Sequence, residues 1–178
     1  PGVDPHTHAH TTTGILDSKF GFPIQTGQAD RAIRLALEST NLRLLGLHFH
    51  LGSPIFETEP YQQALGIVLE LAARLQEGGF ELRELSPGGG FAIAYSDDQE
   101  PPTVAQYADA IASSLREGCD SLGIKLPRLV VEPGRAIIGP AGVALYTVGA
   151  IKDIPGVRKY ISVDGGMGDN IRPALYEA

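Results

Sequence analysis

The sequence has little of what would place it outside a reducing compartment or within a membrane. Cys119 is its only cysteine, so no disulfide framework can form within the chain and a reducing, cytoplasmic setting is expected. No apolar run approaches the roughly 20 residues that a membrane-spanning helix needs. The opening residues, Pro1-Gly2-Val3-Asp4, also lack the pattern of a signal peptide. We therefore predict a cytoplasmic protein with no membrane partner.

Positive charge is scarce as well. The chain has 14 Lys and Arg residues against 21 Asp and Glu residues, which gives a formal net charge of -7. The basic residues are scattered, so they form no electrostatic footprint for nucleic acid or for an anionic membrane. Hydrophobic residues make up 43% of the chain, which is typical of a folded globular protein.

The ends of the sequence indicate a segment of a longer protein. An initiator methionine is missing, and the chain stops after Leu175-Tyr176-Glu177-Ala178 without a tail. The 178 residues are enough for one sizeable domain. We expect a single domain over residues 1–178, without the N-terminal and C-terminal parts of its parent protein.

Apolar periodicity predicts helices separated by short strands. Helical spacing covers residues 30–40, 58–76 and 103–122. Short apolar runs predict buried strands at residues 44–50, 80–85 and 128–132, with further strand candidates at 143–151 and 160–163. Repeated strand-helix units indicate a parallel α/β architecture.

This pattern fits either an open doubly wound sheet or part of a (β/α)8 TIM-type barrel, and periodicity alone does not separate them. We favour the barrel because His50, Gly88-Gly89-Gly90 and Glu132-Pro133-Gly134-Arg135 each lie at or just beyond the C-terminal end of a predicted strand. Barrel enzymes build their active sites at that rim. A complete barrel takes about 250 residues, so this chain would form a partial one.

The glycine triplet has two interpretations. Three glycines after a buried strand leave backbone N–H groups open to an anion such as a phosphate. They also suit a tight turn that needs unusual dihedral angles. The sequence matches neither the dinucleotide-binding fingerprint nor the P-loop, and the two interpretations stay open.

Two interpretations also apply to Glu132-Pro133-Gly134-Arg135. A carboxylate at the end of a buried strand needs a partner, and Arg135 could supply it in a structural ion pair. Alternatively, Glu132 contacts a ring nitrogen of a ligand, and Arg135 holds a carboxylate through two hydrogen bonds.

The histidines are likewise open to a structural and a ligand-binding interpretation. We predict that His48 is a core residue satisfied by a neighbour, whereas His50 is placed to stack on a planar ligand and Ser53 to donate to a phosphate. No third ligand at a recognisable spacing joins the two histidines, and the run His6-Thr7-His8-Ala9-His10 is interpreted as solvated surface, so no metal site is predicted. Near the end, Arg172 and Tyr176 are four residues apart and could meet if that segment is helical.

Six stretches, in order along the chain, resemble the alanine-racemase-type (fold-type III) barrel decarboxylases that use pyridoxal 5'-phosphate, above all the branch acting on diaminopimelate. Each stretch alone is weakly specific, but six in order are highly specific. They are PGVDPHTHAH, GILDSKFGF, GLHFHLGS, PGGGF, VVEPGRAIIGPAG and VDGGMGDNIRPALYEA.

The resemblance implies a role for each residue of the candidate site. His50 would stack on the cofactor ring and Glu132 would face its pyridine nitrogen, which makes these two the expected catalytic residues. Substrate carboxylates would be bound by Arg135, Arg172 and Tyr176. The phosphate would lie against Ser53, Gly89, Gly90 and the backbone of Glu132, Pro133, Gly134 and Arg135.

The implied reaction is decarboxylation of meso-2,6-diaminopimelate to L-lysine in a homodimeric parent enzyme. None of Lys19, Lys125, Lys152 and Lys159 matches the family's cofactor-bound lysine, so we expect this chain to be inactive alone. Ser86-Pro87 and Pro54 depart from the common pattern, which leaves arginine, ornithine or carboxynorspermidine as alternative substrates. A non-catalytic phosphate-binding barrel is a further alternative.

Overall fold

Helices and strands alternate along most of the chain in the computed structural model, which describes the backbone of residues 1–176 and the side chains of residues 1–175. The chain divides into two compact units, Pro1–Pro140 and Ala141–Ala178. Each unit is described by itself below. The prediction of a single domain stays a prediction.

The first unit contains three strands and four α-helices. Its strands are β1 (Gly46–His48), β2 (Glu84–Ser86) and β3 (Arg128–Leu129), and its helices are α1 (Gln28–Glu38), α2 (Glu59–Gln76), α3 (Val104–Leu122) and α4 (Gly134–Ile138). The three strands form one parallel sheet in the order β1-β2-β3. The predicted parallel α/β arrangement of this part is confirmed, although each strand is shorter than the apolar run that predicted it.

Local sequence explains where the long helices begin and end. Thr103 caps α3 by accepting from the Gln106 N–H (3.2 Å), and the Gln106 side chain accepts from the Thr103 N–H (2.7 Å). This reciprocal capping box satisfies donors that the first turn leaves unpaired. The helix ends at Gly123, whose φ of 65° lies in the left-handed region that glycine tolerates.

The core of the first unit is formed by α2, α3 and the residues around the sheet. The apolar face of α2 buries Tyr61, Leu65 and Leu69, and α3 contributes Ile111 and Cys119. Each fully buried leucine or isoleucine side chain stabilises the fold by about 1.5–3 kcal/mol. The core therefore anchors the loops that leave the carboxyl ends of the strands.

The third strand differs from its prediction. Residues 128–132 were expected to form a buried strand, but β3 is two residues long and both are exposed. The reason is its place at the edge of the three-stranded sheet, where only β2 pairs with it. Within residues 1–140, no other strand pairs with the free edge of β3.

The second unit is an antiparallel hairpin followed by a short helix. Its elements are β4 (Val148–Ile154), β5 (Arg158–Val163) and α5 (Arg172–Tyr176). The turn passes through Gly156, whose φ is 74°, and the Val157 N–H donates to Ile154 O (3.0 Å). The predicted strand at 143–151 thus begins later and continues further. No helix in the described part of the chain is long and apolar enough to cross a membrane.

Candidate functional site

The residues that follow β1, β2 and β3 meet at one edge of the sheet. The backbone of Gly89 forms a parallel bridge with Glu132, and the Glu132 N–H donates to Gly88 O (2.8 Å). On the other side, the Phe49 N–H donates to Ser86 O (2.9 Å). Because parallel strands end at the same edge, the three sequence motifs are brought together there.

The glycine triplet is packed against the backbone of its neighbours. A Cβ atom on Gly89 would lie 1.9 Å from Glu132 O, and one on Gly90 would lie 2.1 Å from Gly52 O. Gly88 and Gly90 also have φ angles of 77° and 93°, which side-chain-bearing residues rarely adopt. Close backbone approach and turn geometry therefore account for all three glycines.

One donor at this edge has no acceptor in the part of the chain whose side chains are described. The Gly88 N–H donates to Ser86 Oγ (3.2 Å) and the Gly89 N–H to His50 Nδ1 (3.3 Å), and the parallel bridge between Gly89 and Glu132 directs the Gly90 N–H to Glu132 O. The hydroxyl of Ser53, which is partly buried, has no hydrogen-bond partner among the described residues. Such an unpaired donor suits an anion.

Two buried tyrosines hold the triplet and the neighbouring loop in place. Tyr61 Oη donates to Gly89 O (2.8 Å), and Tyr107 Oη donates to Ile55 O (2.5 Å) while accepting from the Ala92 N–H (3.2 Å). Burial raises the pKa of both phenols, so both remain donors at neutral pH. Sequence reasoning missed them because a tyrosine on an apolar helix face is also an ordinary core residue.

His50 presents a neutral imidazole. A backbone N–H can only donate, so the bond from Gly89 makes Nδ1 of His50 an acceptor and leaves the ring proton on Nε2. Burial lowers the pKa of His50, against the opposing effect of Glu132. A second hydrogen bond, from Thr13 Oγ1 to His50 O (2.7 Å), fixes its backbone.

His48 and Glu132 are more exposed than the sequence predicted. Their side chains are 52% and 57% exposed, and His48 Nδ1 lies 3.5 Å from Glu132 Oε1. His48 does have the expected neighbour, since its Nδ1 is 3.0 Å from Ser86 Oγ. The prediction of a core histidine is nevertheless wrong, because about half of the His48 side chain is exposed.

Arg135 pairs with a tyrosine that the sequence did not single out. Its Nη1 donates to Tyr95 Oη (3.0 Å), and its guanidinium carbon is 5.7 Å from the centre of the Tyr95 ring. No ion pair joins Arg135 to Glu132 within the described residues. The structural ion pair offered as one interpretation of this motif is therefore not observed.

The remaining candidates lie elsewhere in the chain. Arg172 begins α5 in the second unit, which is described separately, and the side chain of Tyr176 lies outside the described residues. The helical spacing expected of these two positions is present in the backbone. His6 is exposed and pairs with Glu57 (Nδ1 to Oε2, 2.9 Å), and no cluster in residues 1–176 is arranged to hold a metal ion.

A family model described as "Pyridoxal-dependent decarboxylase, pyridoxal binding domain" matches residues 1–139. The chain is 45% identical over 179 residues to a diaminopimelate decarboxylase of Bacillus subtilis and 46% identical over 183 residues to one of Corynebacterium efficiens. Both alignments cover all of this chain, but only 41% and 40% of those relatives.

Solved structures give the same result for the fold. The chain matches a diaminopimelate decarboxylase of M. jannaschii in co-complex with L-lysine, with a TM-score of 0.87 and 37% identity. It also matches the Helicobacter pylori enzyme complexed with L-lysine, with a TM-score of 0.86 and 30% identity. Both matches cover all of this chain and 40% and 42% of those structures. The predicted fold class, a partial (β/α)8 barrel, is confirmed.

Proposed function

Because this chain belongs to the pyridoxal-dependent decarboxylases through their pyridoxal-binding domain, we propose that its full-length protein uses pyridoxal 5'-phosphate to convert meso-2,6-diaminopimelate to L-lysine and CO2. The observation that carries this proposal is the meeting of His50, Gly90, Glu132 and Arg135 at one edge of the sheet. The choice of substrate is supported by the relatives, which are named as diaminopimelate decarboxylases and span more than twice this length.

The residues at the edge fit the chemical groups of the cofactor. The unpaired Ser53 hydroxyl suits its phosphate, and the family resemblance assigns Gly90, Pro133 and Gly134 to the same group by their backbone, although Pro133 has no N–H and the Gly134 N–H donates to Glu132 O (2.9 Å). The half-buried ring of His50 suits a stacking contact with the aromatic ring. The carboxylate of Glu132, open to solvent, suits a protonated pyridine nitrogen.

Each of these residues would have a separate role in the reaction. Bound pyridoxal phosphate supplies the electron sink that a decarboxylation requires. Glu132 would hold a proton on the pyridine nitrogen, because a nearby carboxylate favours the charged form of that group. His50 would support the ring, since its neutral state avoids repulsion with the protonated nitrogen. Arg135 would bind a substrate carboxylate, and the family resemblance gives Arg172 and Tyr176 the same predicted role.

The test uses the full-length protein loaded with pyridoxal phosphate. Release of CO2 would be compared for meso-2,6-diaminopimelate, arginine, ornithine and carboxynorspermidine, and the protein would then be reduced with borohydride and mapped by peptide. We expect turnover of diaminopimelate and one modified lysine, which precedes the residue numbered 1 here. Turnover of another of these amino acids instead would assign the protein to a related decarboxylase with that substrate. A protein with no modified lysine would refute the proposal.

The assembly and location of the full-length protein are part of the same proposal. The family resemblance supports a homodimer, which sedimentation of the loaded protein would test. The single cysteine, Cys119, is buried and burial raises its pKa, which supports a structural thiol in a reducing cytoplasm. Cell fractionation would test that location.

A further inference from the structure

The contact between Arg135 and Tyr95 is the most informative feature that the proposed roles leave unexplained. The 3.0 Å hydrogen bond runs from Nη1 of Arg135 to the phenol oxygen. The guanidinium carbon is 5.7 Å from the ring centre, which places the cation towards the hydroxyl end of the ring. Tyr95 is therefore a polar neighbour of Arg135 at the site edge, on the segment that leaves the glycine triplet.

Tyr95 is tethered without being buried. Its backbone N–H donates to Gln99 Oε1 (2.9 Å), while 63% of the residue is exposed. It fills no core space, so packing does not explain its contact with Arg135. The tether sets the position of the backbone from which the phenol reaches the guanidinium.

The phenol retains a donor for a ligand. Tyr95 Oη accepts from Arg135 and donates to no group within residues 1–176. A hydroxyl that accepts from a cation becomes a better donor, because hydrogen bonds in a chain polarise one another. The O–H of Tyr95 and the remaining N–H groups of Arg135 thus form a donor set that matches a carboxylate.

We propose that Tyr95 determines specificity by donating its O–H to the substrate carboxylate that Arg135 binds. This proposal depends on the proposed function, since Arg135 is given a substrate there. The pair would therefore bind a product that still has a carboxylate more tightly than an amine that has none. Its effect is expected on binding of the carboxylate and not on attachment of the cofactor.

L-lysine and cadaverine are suitable probes because they differ by one carboxylate. Their dissociation constants would be measured on the full-length, cofactor-loaded protein and on its Tyr95→Phe variant. Removing a hydrogen bond to a charged group weakens binding by about tenfold or more. We expect Tyr95→Phe to raise the dissociation constant of L-lysine by that factor and to change that of cadaverine by no more than about twofold.

Tyr160→Phe is the matched control, because Tyr160 is another exposed tyrosine with an arginine near its ring (5.9 Å). It should leave the ratio of the two constants unchanged. A second variant, Gln99→Ala, removes the tether. It should also lower the affinity for L-lysine, but by less than Tyr95→Phe does. KM for diaminopimelate should rise in Tyr95→Phe more than kcat falls, and the melting temperature should not change.

Unchanged affinity for L-lysine in Tyr95→Phe, or equal weakening of both probes, would overturn the role of Tyr95. Failure of the unaltered protein to bind L-lysine would overturn it too. Absence of diaminopimelate turnover by the unaltered protein would instead reject the proposed function. The binding ratio would then decide the role of Tyr95 independently of activity.

Discussion

Replacing Gly89 by alanine tests whether the triplet is required by backbone packing. The new Cβ would lie 1.9 Å from Glu132 O, and an ordinary van der Waals contact needs at least 3.4 Å. The atom that the new Cβ would meet is a backbone oxygen and not the tip of a flexible side chain, so the two chain segments must move apart. That movement would break the 2.8 Å bond from the Glu132 N–H to Gly88 O.

The cost can be worked out from these two effects. Overpacking a close contact costs about 1–3 kcal/mol, and losing a hydrogen bond costs about 1 kcal/mol more. We expect Gly89→Ala to lower the free energy of unfolding by about 2–4 kcal/mol. Because the displaced backbone belongs to the site edge, affinity for pyridoxal phosphate should fall in the same variant.

Gly66→Ala is the matched control. Gly66 lies on the exposed face of α2, and a Cβ there would meet nothing within 4 Å. An alanine in a helix interior should raise the free energy of unfolding by about 0.5–1 kcal/mol. Urea unfolding followed by circular dichroism gives the free energy of unfolding of both variants by linear extrapolation to zero urea. Equal stability of Gly89→Ala and the unaltered protein would refute the packing explanation.

Three further predictions concern stability, activity and pH. Glu132→Gln should lower kcat about 100-fold or more but change the free energy of unfolding by less than about 0.5 kcal/mol, since its side chain is 57% exposed; equal losses in kinetics and melting would favour a structural role. Tyr107→Phe removes the phenol that hydrogen-bonds two buried backbone groups and should cost about 1–3 kcal/mol in urea unfolding, whereas no loss would show that the Ile55–Phe91 bridge or water satisfies both groups. Burial lowers the folded-state pKa of His50 below 6.5, so the unfolded state binds more protons between the two pKa values. The contribution of His50 to stability should be constant above pH 6.5 and fall as the pH decreases through that window; a folded-state pKa above 6.5 by NMR titration would contradict this.

Much of the first unit follows from local sequence. The capping box of Thr103 and the glycine at position 123 mark the ends of α3, and short apolar runs locate the three strands. The convergence of His50, the glycine triplet and Glu132 also follows, because parallel strands end at one edge. These features depend on residues close in sequence or on a general rule of sheet topology.

Other features depend on contacts that no local pattern encodes. The bond between Tyr61 and Gly89 spans 28 residues, and the bond between Arg135 and Tyr95 spans 40. The exposure of β3 depends on which strands pair with it, and an apolar run such as Arg128-Leu129-Val130-Val131 does not contain that information. The antiparallel pairing of β4 and β5 depends on the tight turn at Gly156, and an apolar run by itself does not distinguish such a turn from a parallel connection.

The carbonyl oxygens that stand where side chains of Gly89 and Gly90 would be have a consequence for motif searches. They exclude every larger residue whether or not a ligand binds nearby. A Pro-Gly-Gly-Gly-Phe motif therefore indicates that the ends of neighbouring strands are closely packed. A homologue that had lost its chemistry but kept its barrel would keep those glycines. To separate active from inactive relatives, a search pattern should weight the side chains at positions 50, 132 and 135, which the proposed chemistry uses.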